Sequence, residues 1–244
     1  GENSIDWQNH FGDPEGMRLH MKGHDRLLKF TLDGHQDAER LWGELYKKNS
    51  EGGMANLDMG WIHWQKIVMG LTNDPKQSIK LGQEFGKKAH AIMGDGGSLT
   101  LLAWFDLFEQ DFESAIENAR RATEISPSDG NTAAIAGTVY RNSGKPEESA
   151  ILLKRAMRLQ PYHPNWYAWQ MGISLLVLEK YDEAEEVFEA VLQSGTEIVS
   201  DKYAALGGLA AVLVSVPRVK EAWQVGGLNM ILSVLLLSLI HISA

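Results

Sequence analysis

Two histidines, His20 and His24, are the first residues of this sequence that could do chemistry. They stand four residues apart in a segment with helical apolar spacing, so both imidazoles would lie on one helix face, a spacing used by metal ligands. A zinc site needs further ligands, and the pattern places no carboxylate or third histidine beside them. We therefore interpret both as solvated helix histidines, and we predict no metal site and no cofactor.

Two glycine clusters, residues 51–53 (EGG) and 94–97 (GDGG), could suggest phosphate loops. Both lack the Lys-Ser/Thr pair that such a loop requires, and both follow the ends of helical segments. They are typical of C-terminal helix turns. No Ser-His-Asp arrangement or pair of catalytic carboxylates can be argued from the residue order, so we predict that this chain is not an enzyme.

Composition narrows the class of partner. The formal net charge is −9, and no segment concentrates Lys and Arg into a basic face, so nucleic-acid binding is not expected. Cysteine is absent, which excludes disulfides, thiolate zinc sites and cysteine nucleophiles. Hydrophobic residues make up 44% of the chain, enough for a sizeable core.

The sequence contains an internal repeat, which predicts the helices that position the other candidate binding residues. Small residues and prolines recur 34 residues apart: Ala115 and Ser149, Ala122 and Ala156, Pro127 and Pro161. Similar sequences occur after these two units, at residues 181–195, and before them, at residues 88–95. A period of 34 residues is typical of tetratricopeptide (TPR) units, each of which is a pair of antiparallel helices that buries its apolar face against its neighbours.

The repeat predicts an all-α, TPR-type, right-handed superhelical solenoid of antiparallel helix pairs. We call the first helix of each pair the A-helix and the second the B-helix. Thr31 is expected to cap one helix, and Pro75 to be the first residue of another. Ala103, Gly137 and Gly172 are expected where the two helices of a pair meet closely. The predicted limits are a lead-in at 1–12, units at 13–53, 54–95, 96–129, 130–163 and 164–198, a partial unit at 199–216, and an atypical tail at 217–244.

Aromatic residues fall on the A-helices, which line the concave face of such an array. Several of them are expected to pack between helices, but together they favour an apolar groove that binds a peptide or helix. A site that binds the C-terminal carboxylate of a peptide is not favoured. Such sites have Lys and Asn on the inner face of the A-helices, where this sequence has Thr100, Trp104, Ala134 and Thr138. The predicted groove residues, which include two polar ones, are Trp104, Leu107, Phe108, Arg141, Asn142, Trp166, Trp169 and Ile173.

One longer string resembles a particular TPR branch. Residues 144–172 (GKPEESAILLKRAMRLQPYHPNWYAWQMG) are similar to the TPR region that follows the catalytic domain of bacterial class III adenylate/guanylate cyclase-like proteins. Residues 20–31, 59–65 and 73–79 match the same region, so the resemblance covers about residues 10–215. It implies a non-catalytic, cytoplasmic scaffold that binds a protein or peptide partner, or its own upstream domain. The alternative is the TPR region of a winged-helix transcriptional regulator.

The two ends of the chain have a different character. The sequence begins with polar residues and without Met, which suggests that it is a piece of a longer protein. No charged residue follows Glu221, and residues 228–244 are apolar but interrupted by Asn, Ser and His. Three interpretations stay open for this tail: translated sequencing-adapter text, which we favour, a hydrophobic helix that caps the solenoid, or a membrane helix, although about 20 apolar residues are needed to span a bilayer.

Overall fold

The computed structural model describes residues 10–215, and this part of the chain is helical without strands. Residues 1–9 of the predicted lead-in, and the tail with its three interpretations, lie outside it. Within the described part of the chain, eleven helices follow one another: α1 Pro14–Leu27, α2 Leu32–Lys48, α3 Gly53–Val68, α4 Pro75–Met93, α5 Gly96–Phe108, α6 Phe112–Ile125, α7 Gly130–Asn142, α8 Pro146–Leu159, α9 Asn165–Val177, α10 Tyr181–Gln193 and α11 Val199–Ser215.

Polar side chains cap the N-termini of several of these helices. The Thr31 hydroxyl accepts a hydrogen bond from the Gly34 N–H at 3.1 Å, which confirms the predicted cap of α2. Asp74 accepts from the Gln77 N–H at 3.0 Å, and Pro75 is the first residue of α4, as predicted. Because the first N–H groups of a helix lack partners within it, each cap stabilises its helix by about 1 kcal/mol.

The helices form a solenoid of antiparallel pairs. Consecutive helices pack against each other, and alternate helices also touch: α3 packs on α5, α5 on α7, and α9 on both α7 and α11. The odd-numbered helices α1 to α11 are therefore the A-helices, which lie side by side, while α2 to α10 are the B-helices. The predicted all-α solenoid is confirmed.

Small residues stand where the helices of a pair meet closely. A Cβ atom added to Gly137 on α7 would lie 3.0 Å from Leu153 Cγ on α8, and one added to Gly172 on α9 would lie 2.6 Å from the Phe188 ring on α10. Both glycines are buried, as predicted from the repeat. The contact is tight at Gly137 and a clash at Gly172, so the close approach of the paired helices favours glycine at both positions.

A similar contact occurs between α4 and α5. A Cβ added to Gly82 would lie 1.9 Å from Cζ of Phe105, whose side chain is fully buried. Phe105 belongs to a core cluster with Leu57, Ala89 and Leu101. The glycine therefore provides the space that this aromatic ring occupies between two helices.

The glycine clusters at residues 51–53 and 94–97 fit the predicted C-terminal turns only in part. Gly94 ends α4 with a positive φ of 61°, as expected of a C-terminal turn. Gly53 and Gly96, however, are the first residues of α3 and α5, so the prediction of C-terminal turns is wrong for them. The reason is close packing: a Cβ on Gly96 would lie 2.5 Å from the backbone oxygen of Ala122, which a sequence pattern does not show.

Candidate partner-binding groove

A row of aromatic rings crosses the A-helix face of α3 and α5. Trp61 and Trp64 lie one turn apart on α3, with ring centroids 5.4 Å apart and nearly perpendicular. Trp64 contacts Trp104 of α5 at 5.5 Å, and Trp104 contacts Phe108 one turn later at 6.1 Å. At the other end, the exposed Phe30 meets Trp64 edge-on at 6.0 Å. We call these five residues, Phe30, Trp61, Trp64, Trp104 and Phe108, the aromatic strip.

The rings of the strip on α3 and α5 are half-buried. Trp61, Trp64 and Phe108 pack against the core cluster that contains Phe105. Trp104 and Leu107 pack against alanines of α5, α6 and α7. Each ring therefore has one side in the core and part of its surface in solvent, which gives the strip a fixed position and an accessible apolar surface at once.

The predicted groove residues on α9 form a separate group. Trp166 packs edge-on against Tyr167 at 4.4 Å. The indole N–H of Trp169 donates to Oδ1 of Asp201 on α11 at 3.1 Å, and Asp201 is buried. Ile173 packs in the same cluster as Trp169. Among residues 10–215, no ring contact joins this group to the aromatic strip, so the structure places the predicted residues in two patches.

Arg141 lies on α7, between the two patches. Its Nη1 donates to the backbone oxygen of Gln170 at 3.1 Å and to Gln170 Oε1 at 2.6 Å. Burial lowers the pKa of Arg141 to about 10, and the guanidinium stays charged at neutral pH. Asn142, the next residue, is exposed at the end of α7. The A-helix face therefore has an apolar patch on each side of one cationic side chain.

Sequence reasoning missed a charged pair at the N-terminal end of this face. His20 Nδ1 lies 2.8 Å from Oδ2 of Asp58, which is on α3 and only 2% exposed. The prediction of a solvated histidine is therefore wrong for His20, whereas His24 is exposed. The available signal was that Asp58 is the one acidic residue of α3, because a carboxylate on a helix with many buried positions needs a partner.

Burial and charge shift the pKa values of this pair. Burial raises the pKa of Asp58 to about 6, although the nearby His20 opposes the shift. Burial alone would lower the pKa of His20, but the charge of Asp58 and the hydrogen bond outweigh it, so the pKa lies above its usual value. The pair is held in the α1–α3 contact and faces the Trp42 ring, which stacks on His20 at 6.3 Å.

Residues 10–215 contain neither a cluster of potential metal ligands nor an apolar helix of membrane-spanning length. Within that range, no three His, Asp or Glu side chains come together in a group that could hold a metal ion. None of the helices described there has the length and apolar character needed to cross a bilayer.

Comparison with known proteins decides the fold. A family profile described as tetratricopeptide repeat matches residues 170–226. A thermophilic TPR protein of Thermus thermophilus, TTC0263, superposes with a TM-score of 0.61 at 18% identity, over 79% of this chain and 96% of that one. The chain has a tetratricopeptide-repeat fold. PilF of Pseudomonas aeruginosa is also similar, with a TM-score of 0.50 at 14% identity over 88% of this chain and 96% of PilF. No curated protein sequence matches the chain.

Proposed function

We propose that this chain is a non-catalytic scaffold whose A-helix face binds a peptide or helical segment of a partner protein. The observation that carries the proposal is the aromatic strip. Its rings touch from α3 to α5, so the accessible apolar surface is continuous across two units rather than scattered. Large apolar side chains normally seek burial, and a contiguous accessible group of them is typical of a binding surface.

Trp104 is the best position for a test, because it lies in the middle of the strip. Its ring contacts Trp64 on one side and Phe108 on the other. Since the ring is only half-buried, we expect Trp104→Ala to lower the free energy of unfolding by about 1–3 kcal/mol, less than the loss of about 3–5 kcal/mol for a fully buried aromatic. The variant should therefore still fold at room temperature.

The binding test uses random twelve-residue peptides that are displayed on phage and selected on the folded chain. Peptides rich in apolar residues should be enriched, and Trp104→Ala should weaken their binding by about 2 kcal/mol, as expected for an interface hot spot. Ile151→Ala is the control, because Ile151 is 68% exposed on the B-helix α8. Peptides that bind Trp104→Ala as tightly as the wild type, or a selection that enriches nothing, would contradict the proposal.

The wider context is a second proposal. We infer that the scaffold is the C-terminal regulatory region of a cytoplasmic, cyclase-like protein, where it binds a partner or its own upstream domain. The support is the sequence resemblance of residues 144–172. The coding sequence upstream of Gly1 tests it: a cyclase catalytic domain is expected, whereas a winged helix would favour the transcriptional-regulator alternative. The purified chain itself should form no cyclic AMP or GMP from ATP or GTP with Mg²⁺ or Mn²⁺.

A further inference from the structure

Arg141 has hydrogen-bonding capacity that the described part of the chain leaves unused. A guanidinium has five N–H donors, and here only Nη1 has acceptors, both of them on Gln170. No carboxylate of residues 10–215 forms an ion pair with it. The Nε and Nη2 groups are therefore available for an acceptor outside this part of the chain.

The charge of Arg141 is also unbalanced on the A-helix face. Helices α5, α7 and α9 contain one basic residue, Arg141, and one acidic residue, Asp106. Asp106 accepts a hydrogen bond from Asn118 on the B-helix α6 at 2.7 Å, so it belongs to the contact between α5 and α6. A half-buried cation without a counterion has lost part of its hydration, and a carboxylate would compensate for that loss.

The helices on both sides of this cation, α5 and α9, carry the two apolar patches. On the α5 side, Trp104 and Leu107 pack in one cluster with Tyr140, the neighbour of Arg141 in the chain. On the α9 side, the hydrogen-bond partner Gln170 lies on the same helix as Trp169 and Ile173. A peptide that contacts both patches must cross α7, the helix that carries Arg141, in the middle of its length and not at its end.

We propose that Arg141 determines the specificity of the groove by binding the side-chain carboxylate of an Asp or Glu within an otherwise apolar peptide segment. This inference rests on the proposed function, because it requires that the A-helix face bind a peptide. The planar fork of the guanidinium fits a carboxylate through two parallel hydrogen bonds, and Gln170 holds one edge of the fork in place. An internal acidic side chain is favoured over a C-terminal carboxylate because the apolar surface extends to both sides.

The experiment uses the peptides selected on the wild-type chain, synthesised with both ends blocked. Peptides that contain one Asp or Glu flanked by apolar residues should dominate. Replacing that residue by Asn or Gln in the peptide should weaken binding to the wild type about tenfold or more. The same replacement should have no effect on binding to Arg141→Gln, because the two changes remove the same contact.

Two further variants separate this inference from the proposed function. Arg121→Gln removes an equal charge from the exposed face of α6 and should keep the preference for an acidic residue. Peptides that need Trp104 but show no acidic preference, or that bind Arg141→Gln unchanged, would overturn the role of Arg141 and leave the groove intact. The same peptides are also synthesised with a free C-terminus, and binding that is lost when this C-terminal carboxylate is blocked would also overturn it. Binding that is independent of Trp104 would instead contradict the groove itself.

Discussion

Replacing Gly82 by Ala tests whether the aromatic strip depends on the glycine beneath it. Gly82 is buried in α4, and the added methyl carbon would lie 1.9 Å from Phe105 Cζ. Non-bonded carbons prefer a separation of about 3.5–4.0 Å, so the ring must move by about 1.6 Å or more. Phe105 contacts Phe108 at 5.9 Å, and its displacement would reach the strip through that contact.

Two opposing effects determine how much Gly82→Ala changes the free energy of unfolding. Alanine is favoured over glycine inside a helix by about 1 kcal/mol. Inserting a methyl group into a filled core costs about 1–3 kcal/mol, and the upper end applies here because Phe105 is fully enclosed. We therefore expect Gly82→Ala to lower the free energy of unfolding by about 2 kcal/mol, with weaker peptide binding at Trp104.

Urea unfolding followed by circular dichroism measures the change, and Gly43→Ala is the matched control. Gly43 lies inside α2 with no atom within 4 Å of an added Cβ, so this variant should gain up to about 1 kcal/mol. Combining Gly82→Ala with Phe105→Leu should recover part of the loss, because leucine lacks the outer ring atoms. If Gly82→Ala were as stable as Gly43→Ala, the argument that Phe105 needs this space would be refuted.

Two other predictions concern the polar contacts of the A-helices. Because the pKa values of Asp58 and His20 are raised, these two groups bind more protons in the folded state than in the unfolded chain. The stability of the wild type relative to Asp58→Asn should therefore fall as the pH rises. The fall begins at about pH 4, continues through about pH 6 as Asp58 loses its proton, and extends above the usual pKa of histidine as His20 loses its own. Urea midpoints across that pH range check it, and a relative stability that rises with pH would contradict it. Trp169→Phe should cost about 1–3 kcal/mol because it leaves the buried Asp201 without its indole donor, whereas Trp166→Phe should cost less; equal losses in thermal melts would refute the role of that hydrogen bond.

The repeat made the fold predictable from the sequence. Small residues at one period fix where paired helices touch, and Gly137 and Gly172 are buried there as expected. Caps such as Thr31 act within a few residues, so local sequence identifies them. Both kinds of signal depend on the unit and its nearest neighbour, which is the scale at which a repeat pattern carries information.

The candidate site was less accessible to sequence reasoning. The contacts of His20 with Asp58, of Arg141 with Gln170 and of Trp169 with Asp201 all join two A-helices that are 29 to 38 residues apart. Helical periodicity assigns each residue to a face of its own helix, but it does not give the rotation of one helix against the next. Which side chain meets which therefore depends on packing that only the three-dimensional structure shows.

The position of Phe188 has a consequence for the helices α9 to α11. Its ring, on α10, lies against Gly172 of α9 and also against Gly208 of α11, where an added Cβ would come within 2.3 Å of the ring. One side chain is thus shared by two successive helix interfaces. A shortened chain that stopped after α10 would expose one side of this ring. Helix α11 therefore covers the pair α9–α10 and keeps this aromatic surface from contacting other molecules.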